Sequence, residues 1–82
     1  MQKQLSIMGI ILDHRADCAP RVQEVLTQYG TMIIYRTGSP DPSKKEDGLI
    51  TITLDGEKHD VKSLAQDLED IQGVTVNYMQ MR

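Results

Sequence analysis

Asp13-His14-Arg15 is the one place in this 82-residue chain where a carboxylate, an imidazole and a guanidinium stand consecutively. Such a run can contact a small polar ligand, and Asp13, His14 and Arg15 are the first candidate ligand-binding residues. Arg36 is a fourth, because Arg36-Thr37-Gly38-Ser39-Pro40 sets one cation beside a Gly/Ser turn, whose backbone N–H groups suit a carboxylate or phosphate. The other reactive side chains carry less. His14 and His59 are the only histidines, each in a loop before a helix, and they lack the several Cys or His ligands of a metal site. Both read as solvated loop residues, and no metal or cofactor is expected. Cys18 is the only cysteine; near a helix start its thiol could be activated, but it lies on an apolar stripe and reads as buried and inert. Asp41, Glu46 and Asp47 lack the ligand spacing of a calcium loop and read as a solvated charged segment. No nucleophile–base or acid–base pair can be assembled from adjacent elements, so an enzyme is not expected.

The elements that must position these residues follow from periodicity. Leu5 to Leu12 is β-branched and apolar, a first strand. Over residues 17–29 the period becomes helical, with Cys18, Val22, Val25, Leu26 and Tyr29 on one face. Asp17 is the expected N-cap, Pro20 falls in the first turn, and Gly30 marks the stop. Thr31 to Thr37 is a second strand and Gly38 to Gly48 a loop. Leu49 to Leu54 alternates as a third strand, closed by Asp55-Gly56. A second helix covers residues 61–71 with Asp60 as its expected N-cap and Gly73 beyond its end. Val74 to Met81 is the last strand. The order β-α-β-β-α-β predicts a ferredoxin-like α+β sandwich over residues 1–82 as one domain: a four-stranded antiparallel sheet with both helices on one face.

The second face of that sheet ought to be polar, and it is not. Pointing Leu5, Ile7 and Ile11 at the helices leaves Met8, Ile10 and Leu12 outside, and the reverse choice leaves the first set outside. Strand two has the same difficulty with Met32 and Ile34 against Ile33 and Tyr35, and strand four adds Met79 and Met81. Burying ~500 Å² there contributes on the order of 12 kcal/mol before association costs remove much of it. A chain with three Tyr, no Trp and no Phe has a small core of its own. A homo-oligomer, dimer or tetramer, formed through the sheet, either face to face or edge to edge, is therefore expected.

Charge and composition exclude other partners. The formal net charge is −3 and the basic residues are scattered, which disfavours nucleic acid. The longest apolar run, Ile7 to Leu12, is far short of the ~20 residues of a membrane span. A lone cysteine and no signal-peptide pattern fit a cytoplasmic protein.

Met8-Gly9-Ile10-Ile11, Asp13-His14-Arg15, Gln28-Tyr29-Gly30 and Ile33-Ile34-Tyr35-Arg36-Thr37-Gly38-Ser39-Pro40 together resemble the small proteins assigned to regulation of iron-only hydrogenase systems. Leu68-Glu69-Asp70-Ile71-Gln72-Gly73-Val74-Thr75-Val76 resembles that family's last helix-Gly-strand. The resemblance implies an ACT-like fold, similar to the C-terminal domain of the nickel-responsive repressor. It also implies a dimer or tetramer and a role in hydrogenase expression or maturation. The nickel sensor's His-x-His strand has no match, since strand three reads Ile50-Thr51-Ile52-Thr53. Asp13-His14-Arg15-Ala16 likewise departs from the Pro-Gly that follows the turn in amino-acid-binding ACT domains. The expected function is an oligomeric regulatory or ligand-sensing module without its own DNA-binding segment, with a possible small-molecule effector. The alternative is a structural or partner-docking protein with no small-molecule ligand.

Overall fold

A computed structural model describes residues 3–82; residues 1 and 2 of the expected domain lie outside it. Alternating apolar positions place four segments in one sheet: Gln4–Leu12 (β1), Ile33–Pro40 (β2), Gly48–Gly56 (β3) and Val74–Gln80 (β4). Two amphipathic segments form the helices Ala19–Gln28 (α1) and Lys58–Glu69 (α2). The sheet order is β2-β3-β1-β4 and every neighbouring pair is antiparallel. This is the ferredoxin-like β-α-β-β-α-β sandwich.

Both helices lie on one sheet face. Val22, Val25 and Leu26 of α1, with Val61, Leu64, Ala65 and Leu68 of α2, pack on Met8, Ile10, Leu12, Ile52 and Leu54. A Leu or Ile withdrawn fully from water contributes about 1.5–3 kcal/mol, so this layer drives the fold. Tyr29, just past α1, donates its hydroxyl to Asp67 of α2 at 2.6 Å and ties the helices together. No helix among the described residues is long and apolar enough to cross a membrane.

Several local expectations are corrected. Asp17 does not cap α1: it sits at φ 49°, ψ 45°, ending a 3-10 turn over His14–Ala16, and Cys18 becomes the N-cap. Asp60 does not cap α2, which starts earlier; Glu57 precedes it and Asp60 lies in the first turn, where a carboxylate still meets the helix dipole favourably. Thr31 and Met32 belong to a 3-10 turn, Gly30–Met32, and β2 runs on through Gly38 and Ser39 to Pro40. Pro40 is tolerated there because β2 is an edge strand.

The structure also resolves the choice of faces. Ser6, Met8, Ile10 and Leu12 point to the helices, while Leu5, Ile7, Gly9 and Ile11 belong to the open face. Strand register arranges the open face in cross-strand rows. Tyr35, Thr53, Ile7 and Met79 form one row, and Thr37, Thr51, Gly9 and Asn77 the next. Ser39, Leu49, Ile11 and Thr75 form a third. Ile34 is the extra residue of a bulge in β2. Tyr35 and Met79 are 64% and 62% exposed, beside Ile7 at 39% and Ile11 at 37%. The sequence comprises 26% charged residues, yet Asp55, at the strand end opposite Leu5, is the sole charge at the paired open-face positions of the four strands.

Candidate functional site

The exit of β1 is where three of the four candidate side chains meet. After Leu12 the chain must reverse onto α1, and it does so through the His14–Ala16 turn, with Asp13 in extended conformation as its N-cap. The Asp13 carboxylate accepts the Arg15 backbone N–H at 2.9 Å, Nε at 3.0 Å and Nη2 at 2.7 Å. The Arg15 guanidinium, with the Arg15 N–H, holds the Asp13 carboxyl well below the usual carboxylate range. Asp13 in turn raises the pKa of Arg15, whose side chain remains 70% exposed.

His14 turns the other way. Its backbone N–H donates to Asp47 Oδ1 at 3.0 Å, and its Nδ1 lies 2.7 Å from the same oxygen. Asp47 closes the segment between β2 and β3, its own N–H donating to the Lys44 carbonyl and its carbonyl accepting from Asp41. The His14 side chain and backbone N–H lower the pKa of Asp47. The expectation of a wholly solvated Asp41–Asp47 loop fails at this residue: Asp47 is buried. Asp41 fits it better, its carboxylate accepting from the Ser43 N–H and hydroxyl, which lower its pKa.

Beneath the corner lies Gly73. The Asp13 N–H donates to the Gly73 carbonyl at 2.8 Å. Gly73 has φ +89°, and a Cβ there would collide with the Ala16 Cβ. Only glycine satisfies both conditions. Two hollows flank Asp13: one of about 450 Å³ with Arg15, Ala16, Gln72 and Gly73, and one of about 210 Å³ with His14, Asp17, Cys18 and Glu46.

Arg36 is not brought to this corner. It lies four positions before Pro40 along β2, opposite Ile52, and donates to Gln23 of α1 at 2.6 Å. His59 lies in the first turn of α2 rather than in the loop before it, and His14 and His59 lie beyond opposite ends of the nine-residue β3, which is itself roughly 26 Å long. Each belongs to a small donor cluster, Asp13-His14-Asp47 and Glu57-His59-Asp60. In the first, Arg15 already engages both Asp13 oxygens. Cys18 is buried, its sulfur 3.9 Å from the Asp13 carbonyl. Asp47 is the residue that sequence reasoning missed. It is 33 residues from His14, and the usable signal was the Gly48–Leu12 register that follows from pairing β3 with β1.

Comparison with known proteins agrees with this architecture. An uncharacterized protein, TM1266 from Thermotoga maritima, superposes with a TM-score of 0.90 at 23% identity, covering 99% of this chain and 100% of that one. The C-terminal domain of the MgtC protein from Mycobacterium tuberculosis gives 0.73 at 15% identity, covering 95% and 87%. CPII from Thiomonas intermedia K12, a nitrogen regulatory PII-like protein solved with ADP, AMP and acetate, gives 0.52 at 19% identity, covering 100% and 93%. No curated protein matches the sequence. The profile of the TM1266-like family, described as "Iron-only hydrogenase system regulator, putative", matches residues 4–78. The chain, from its first strand into its last, belongs to the TM1266-like family.

Proposed function

We propose that this protein is a non-catalytic regulatory module of an iron-only hydrogenase system, completed by self-association through its open sheet face. The regulatory part rests on family membership. The assembly rests on one observation: the open face exposes Ile7, Ile11, Tyr35, Met79 and Met81 and carries charge at Asp55 alone among its paired strand positions. Exposed apolar faces of this kind are normally covered. Met79→Lys tests it by placing a charge at an exposed position, which the single chain tolerates and a buried interface does not. The variant should dissociate at concentrations where the parent is associated. An unchanged oligomer would refute the covered face.

As a regulator, the module uses the Asp13, His14 and Arg15 corner to sense a small polar ligand, with Arg36 as a separate contact on the α1 side. The two hollows beside Asp13 and the exposed Arg15 support this reading. Thermal-shift titration with amino acids, adenine nucleotides and divalent metals tests it, nucleotides being included because CPII, which shares the fold, was solved with them. A specific ligand raises the melting temperature with concentration, by about 2.7 kcal/mol of stability at 100 times its Kd. A flat response throughout would favour the alternative, a docking protein without a small ligand. The closed Asp13–Arg15 pair is the observation on that side.

A further inference from the structure

We draw no further inference here: the strongest candidate, the outer edge of β4, whose residues Val74–Gln80 carry no charge or proline to block strand addition, has no neighbouring strand among the described residues, and nothing in the structure shows what covers it.

Discussion

The imidazole Nδ1 of His14 stands 2.7 Å from Asp47 Oδ1, and that oxygen also accepts the His14 backbone N–H at 3.0 Å. One carboxylate thereby fastens the segment entering β3 to the turn that leaves β1. The corner that holds Asp13 and Arg15 depends on this fastening for its position, because the turn itself is only three residues long.

Acid should loosen the corner. Asp13 and Asp47 are both ionised at neutral pH, and their folded-state pKa values lie below the ordinary carboxylate value near 3.9. As pH falls below about 5 the unfolded chain takes up protons first, so the stability these groups contribute is lost through and below that range. The urea midpoint should therefore decline between pH 6 and pH 3. Asp47→Asn should start lower at pH 7 and decline less steeply, and an unchanged slope would contradict the role given to Asp47.

Gly73→Ala should cost at least about 2 kcal/mol, combining left-handed backbone strain with collision against Ala16. Adding Ala16→Gly removes the collision alone, so the double variant should recover part of the loss and retain about 1 kcal/mol from the backbone. Denaturant unfolding measures both. Equal stability of Gly73→Ala and the parent would show that the 72–74 backbone relaxes freely.

Tyr29→Phe should cost under about 1 kcal/mol, although its hydroxyl sits 2.6 Å from Asp67. The pair is only partly buried, and water replaces much of the lost bond. A loss above 2 kcal/mol would mean that the helix pair depends on this one contact.

Long-period features were legible in the sequence and local ones were less so. Ile50, Ile52 and Leu54 against Thr51 and Thr53 specify a half-buried strand, and Val61, Leu64, Ala65 and Leu68 specify a helix face. Asp17 and Asp60 read as caps in sequence because acidic residues suit both caps and turns; a left-handed φ at Asp17 decides the first case and an earlier helix start the second. The orientation of β1 was undecidable from its own residues, since both faces are apolar. Its position between β3 and β4, with the helices packed on Met8 and Ile10, settles it. At the corner, Asp13 and Arg15 were legible because they are neighbours. Asp47 was not, because its partner is brought to it only by the register of a distant strand.

Static light scattering of the parent protein across micromolar to millimolar concentration, at neutral pH, tests the central claim most directly. The account predicts a mass of at least twice the 9.2 kDa chain, falling toward the monomer in Met79→Lys. A parent mass of 9.2 kDa over the whole range would contradict it.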